Sequence, residues 1–170
     1  MAISMYKASV PPLIRCLNNL SGILEKGAAH AENKGIDPSV LIHSRLFPDM
    51  LPLAKQVQIA SDVARKGAAR LAGIEAPSIE DNEASFPELI TRSSTTVDYL
   101  NTFTPDQIDG TEDKIISLPI RGEIYKFPGL PYLLTFVKPN VYFHVTTAYN
   151  ILRHSGVELG KFDYLGKPEH

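Results

Sequence analysis

FVKPNVYFHVTTAYNILRHSGVELGKFDYLG, residues 136–166, decides how this chain is read. Val137, Val141, His144, Val145, Ala148, Ile151 and Leu152 recur at intervals of three and four, which gathers side chains on one face of an α-helix. The spacing predicts a last helix that opens at Gly129-Leu130-Pro131 and runs to His154, with Gly156 as its C-cap. Arg153 and His154 then fall where cations suit the helix dipole. The coil that follows is too aromatic for a disordered tail, and His144 lies on the inward stripe.

Working toward the N-terminus, Lys114–Phe127 departs from this pattern. KIISLPI and EIYKF flank Arg121-Gly122 as two short β-branched strands around a turn, and Pro119 confines the ribbon to an edge. Ser85 and Glu88 form a capping box, with Pro87 in the first turn, for a helix carrying Phe86, Leu89, Ile90, Val97 and Leu100. A second box, Thr104 with Gln107, predicts one short helical turn. Residues 76–84 are acidic, carry no period and read as a loop. Met50, Leu53, Val57, Ser61, Ala64, Ala68 and Leu71 define another long helix that Gly73 closes, and its small residues admit a close neighbour. Asp37-Pro38 opens a short helix through Leu46. The first long helix runs from Leu13 through Leu17, Leu20, Leu24 and Ala28 to Gly35, with Pro11 and Pro12 at its start and a separate turn before them. The expectation is all-α: a four-helix bundle with short extra helices and one small hairpin, forming a single domain over residues 1–170.

Composition narrows the classes of function. Of 170 residues, 44% are hydrophobic and 21% charged, enough to bury one core. Seventeen basic against nineteen acidic side chains leave a net charge of -2, so the chain lacks the basic footprint of a nucleic-acid binder. Lys7 and Arg15 interrupt the N-terminal apolar residues, which argues against a signal peptide or a membrane span and makes the cytoplasm the expected compartment. Cys16 is the only cysteine, which excludes an internal disulfide, and its apolar helical setting reads as a buried small hydrophobe.

The chemistry-bearing positions are few. His144 reads either as a core histidine bonded to a neighbouring helix or as a ligand or acid–base group. Asn140 stands one turn before it, and an i, i+4 pair is the spacing that lets two side chains reach one metal. Asparagine is a poor ligand for zinc or nickel beside imidazole. His154 lies about 15 Å further along the axis, at about 1.5 Å per residue, and off the stripe. Arg45, Asp49, Gln56 and Asp62 are spaced along the lead-in and one edge of the helix ending at Gly73, either as a solvated face with Asp49 as its cap or as the polar lining of a site. Tyr132, Phe136, Tyr142, Phe143 and Tyr149 crowd the last helix and its lead-in, as core, as dimer contact or as the wall of a cavity for an apolar or aromatic small molecule. No phosphate loop, nucleotide fingerprint, Ser-His-Asp order or calcium loop is present in the sequence.

The segments RLFPDMLPLAKQVQIASD (Arg45 to Asp62) and PNVYFHVTTAYNILRHSGVELGKFDYLG (Pro139 to Gly166), with the order of elements, resemble the DinB-like, or YfiT-like, superfamily of four-helix bundles, and within it an uncharacterised domain-of-unknown-function family. The resemblance covers nearly the whole chain. It implies the fold and a homodimer, and in metal-binding members a histidine near the start of the second long helix with an His-x-x-x-His pair on the last. His144 matches the second member of that pair, Asn140 stands where the first would be, and His43 loosely matches the remaining ligand. A divalent metal such as zinc or nickel is the cofactor so implied. One expected function is an enzyme with a pocket around His144, Asp49 and Arg45: a metal-assisted transferase or hydrolase, or a metal-free isomerase or cyclase. The other is a non-catalytic dimeric module that binds a small molecule or a partner protein.

Overall fold

A computed structural model describes residues 3–167. Four long helices make the bundle: α1 (Met5–Lys34), α3 (Leu53–Ala72), α4 (Phe86–Leu100) and α7 (Lys138–His154). Around the ring α1 packs on α4, α4 on α3, α3 on α7 and α7 on α1. The shorter pieces are α2 (Pro38–Ile42), α5 (Pro105–Ile108), α6 (Gly129–Pro131), α8 (Lys161–Leu165), and strands β1 (Ile115–Ile120) and β2 (Glu123–Pro128). No helix among the described residues is long and apolar enough to cross a membrane.

The helix ends follow local chemistry. Gly35 and Gly73 close α1 and α3 in the left-handed conformation, at φ 63° and 78°, which costs a residue without Cβ least. The Ser85 hydroxyl caps α4 by accepting from the Glu88 N–H, and the Glu88 carboxylate accepts from the N–H of Ala84, one residue beyond the expected capping box. Thr104 and Gln107 form their box as anticipated. β1 and β2 pair antiparallel, with Arg121 and Gly122 both at positive φ, a type I′ geometry. Alternation along β1 turns Ile116 and Leu118 onto the bundle, where both are buried. Cys16 is buried, and burial pushes its thiol up to about 12, so it is an apolar filler at neutral pH.

Four expectations are corrected. α1 begins at Met5, capped by Ser4, and runs unbroken through Pro11 and Pro12. Pro12 has no N–H for the Ala8 carbonyl, and Lys138 Nζ of α7 donates to that carbonyl at 3.2 Å, so a partner 130 residues away repairs the gap. α2 stops at Ile42 with His43 as its C-cap, short of Leu46. Asp49 is not the cap of α3, whose N-cap is Pro52. The last helix is not uniform: between α6 and α7, Tyr132–Val137 is π-helical, and the Lys138 N–H reaches the Leu133 carbonyl five residues back. The loosened turn directly precedes Pro139, whose missing N–H and ring oppose a regular α-turn there.

The small-residue stripe of α3 does admit a close neighbour. Ala64 and Ala68 are fully buried, and a Cβ on Gly67 would lie 2.7 Å from Val137 Cγ1 of the π-helical turn. The aromatic C-terminal segment folds back onto α1 as α8: Arg15 donates to the carbonyls of Leu165 and Lys167, and Asn19 to that of Tyr164.

Candidate functional site

α7 carries His144 to the first turn of α3. Its Nδ1 lies 2.7 Å from Gln56 Oε1, and Gln56 Nε2 donates to the Leu51 carbonyl at 2.9 Å. A carbonyl only accepts, so the Gln56 amide nitrogen must face Leu51 and its oxygen must face the imidazole. Nδ1 therefore carries the proton, and Nε2 presents a lone pair with no protein partner among the described residues. The ring is half-buried, with the Phe143 ring edge-on at 5.3 Å, and burial holds its pKa below the ordinary histidine value. At neutral pH this is a neutral imidazole of fixed tautomer, able to accept a proton or donate an electron pair through Nε2. It shares features of both expected readings: it is bonded to a neighbouring helix, yet it is open on its second nitrogen.

The other predicted residues do not join it. Asn140 turns its amide back onto its own helix, donating to the Phe136 carbonyl at 2.6 Å. His43 is exposed at the end of α2, its Nδ1 2.8 Å from the Ser39 carbonyl. Arg45 is exposed and reaches the Pro48 carbonyl at 3.4 Å, and Asp49 is exposed in the same loop. Among the described residues no hydrogen bond or ion pair links His43, Arg45 or Asp49 to His144. Nor does any group of three or more histidine, cysteine, aspartate or glutamate side chains come together there as a metal site. The donor set does not fit a three-histidine centre: one position holds an amide already committed to a backbone carbonyl, and His43 stands exposed outside the bundle.

A second polar cluster gathers around Asp62, which the sequence places on the polar edge of α3 without its partners. Asp62 Oδ1 accepts from Arg65 at 2.6 Å and from Arg92 at 2.9 Å, while its Oδ2 pairs with Lys66. Arg92 also pairs with Asp81 at 2.9 Å and Glu83 at 2.8 Å, so the acidic loop is folded onto the α3–α4 seam. Arg65 and Arg92 are each 1% exposed by side chain, so two buried guanidiniums anchor the network while Asp62, Lys66 and Asp81 carry it out to the surface. Burial would push the Asp62 carboxyl up, but hydrogen bonds from Lys66 and Arg65 outweigh it and hold the group below the usual range. The available signal was Asp62, Arg65 and Lys66 at i, i+3 and i+4.

The helical bundle with its small hairpin is that of a DinB-like protein. A crystal structure of a DinB family member protein from Shewanella denitrificans superimposes with a TM-score of 0.90 at 40% sequence identity, over 97% of this chain and 93% of that one. Residues 5–165 match the family described as domain of unknown function DUF1993, and the chain belongs to that family. No curated protein matches it.

Proposed function

We propose that this chain is a metal-independent acid–base protein of the DinB-like class, in which His144 Nε2 takes a proton from a small substrate at one end of the bundle. The observation that carries the reading is the Leu51–Gln56–His144 relay, which leaves Nε2 bare on a neutral, half-buried ring. In a step of the isomerase or cyclase kind, Nε2 accepts a proton α to a substrate carbonyl. The bonding pair passes into the substrate as an enolate, and the imidazolium returns the proton to another substrate atom. Gln56 is a positioning residue, holding the ring through Nδ1.

The test follows hydrogen–deuterium exchange of a panel of small carbonyl compounds in D2O by proton NMR, with the native protein and with His144→Gln. Faster exchange for at least one compound, reduced roughly 100-fold or more in the variant, is the expected result. Equal exchange with both proteins would overturn the assignment. Elemental analysis after adding zinc or nickel checks the donor-set argument: stoichiometric metal that disappears in His144→Gln would make the residue a ligand and defeat the metal-independent reading.

A further inference from the structure

A cleft of about 280 Å³ opens between α3 and the hairpin, away from the end of the bundle that holds His144. Ile59 and Val63 from α3, Leu118, Pro119 and Ile120 from β1, and Phe136 from the π-helical turn supply its apolar walls. Tyr132 backs it, stacked on Phe136 with ring centroids 5.7 Å apart and planes 14° from parallel. Lys66 and Arg70, one turn apart on α3, bring two cations to the same cleft.

Those cations are not equivalent. Three carboxylates, Asp62, Asp81 and Glu83, are shared among four cations in this part of α3 and its surroundings, Lys55, Arg65, Lys66 and Arg92, while a fifth, Arg70, stands beside them. Asp62 also lines the cleft, but both of its oxygens are engaged, one by Arg65 and Arg92 and the other by Lys66. Arg70 is the cation left over. It is half-buried, and its bonding partner among the described residues is the Tyr132 hydroxyl, 3.1 Å from Nη1, with no carboxylate. A guanidinium offers five N–H donors in a planar fork that fits a carboxylate, and one phenol oxygen leaves most of them to solvent. An apolar-walled cleft with one convergent unpaired cation is the arrangement expected for a ligand that is apolar over most of its surface and anionic at one end.

We propose that this cleft binds a small monocarboxylic acid with an apolar or aromatic body, its carboxylate on Arg70 beside Lys66 and its body against Leu118, Pro119 and Phe136. The volume falls just short of the roughly 300–1,000 Å³ usual for ligand clefts, which limits the ligand to a few carbons or one ring. The site does not rest on the His144 proposal. Arg70 lies fourteen residues beyond Gln56 on α3, about 21 Å along the axis at about 1.5 Å per residue.

The probe is 3-phenylpropionate, with the neutral 3-phenylpropanamide of the same shape as its control, titrated into isotopically labelled protein and followed by NMR. The acid is expected to bind with a Kd near or below about 1 mM and to shift the methyl signals of Leu118, Ile120 and Val63. The amide, and the acid with Arg70→Gln, are expected to bind at least about tenfold more weakly. Equal affinity for acid and amide, shifts confined to other surfaces, or no saturation of the native protein would each overturn the site. The acid-against-amide comparison on native protein decides the matter even if Arg70→Gln fails to fold, and Lys66→Gln, which leaves Tyr132 untouched, is the second variant. Its expected loss is smaller than that of Arg70→Gln, because Lys66 is already paired, and a larger loss would contradict the assignment of Arg70 as the anchor.

Discussion

Replacing Gln56 by methionine tests the chain of hydrogen bonds that sets the His144 tautomer. The side chain is 2% exposed and methionine nearly conserves its volume, so packing is little changed. Two bonds are lost: the donation to Leu51 O at 2.9 Å and the acceptance from His144 Nδ1 at 2.7 Å. At about 0.5–1.5 kcal/mol net for each, the loss is about 2 kcal/mol, with the half-buried ring recovering part of its bond from water. For a chain of this length that is a fall of about 4–8 °C in Tm. The sharper readout is the pair of imidazole nitrogen-15 shifts at pH 8. In the native protein Nδ1 should appear protonated and Nε2 unprotonated; in Gln56→Met the two tautomers should mix. A native ring protonated on Nε2, or an unchanged single tautomer in a folded Gln56→Met protein, would refute the reasoning from Leu51 outward.

Three further outcomes are expected. Gly67→Ala sets a Cβ 2.7 Å from Val137 Cγ1 and 3.1 Å from Cγ2, so despite alanine's better helix propensity it should destabilise by about 1–3 kcal/mol, read as a lower urea midpoint. Arg92→Met removes a 1%-exposed cation shared by Asp62, Asp81 and Glu83 and should cost about 1–3 kcal/mol by the same measurement, chiefly because Glu83, 8% exposed, keeps only Gln58, whereas Asp62 and Asp81 retain other cations and reach solvent. His144 should impose a pH slope: its folded pKa is depressed, so the fold binds this proton more weakly than the unfolded chain does. That contribution is fully present above the unfolded value of about 6.5 and is lost as pH falls through it toward the folded value. The Tm difference between native and His144→Gln proteins, followed from pH 8 to pH 5, should move against the native protein on the acid side.

What could be read from the sequence was local. The stripe on α3, the glycines at 35 and 73, the Ser85 cap and the Arg121-Gly122 turn each depend on residues within a few positions of one another, and each stands as expected. The misses involve partners far along the chain. Pro11 and Pro12 looked like a helix start because Lys138, which satisfies Ala8, is 130 positions away. The acidic segment is the loop it was read as, but its pairing with Arg92 on the following helix, and through Glu83 with Gln58 on the preceding one, carried no sequence signal. His144 was found by periodicity, but Gln56, 88 positions earlier, was read only as an edge residue. Arg70 passed unnoticed because a single arginine on a helix carries no signal until the hairpin closes over it.

The π-helical turn at Tyr132–Val137 acts as a phase shifter in the last helix. Such a turn holds one residue more than an α-turn, and one residue corresponds to about 100° of rotation about the axis at 3.6 residues per turn. Every side chain downstream is indexed by that offset, so Val141, Val145, Ala148 and Leu152 meet the core while Tyr132, Leu133 and Val137 still do so upstream. Excising a single residue there would leave the composition of α7 intact and swing His144 about a quarter turn away from Gln56. The azimuth of the imidazole is thus written two turns before it, in the stretch leading up to a proline.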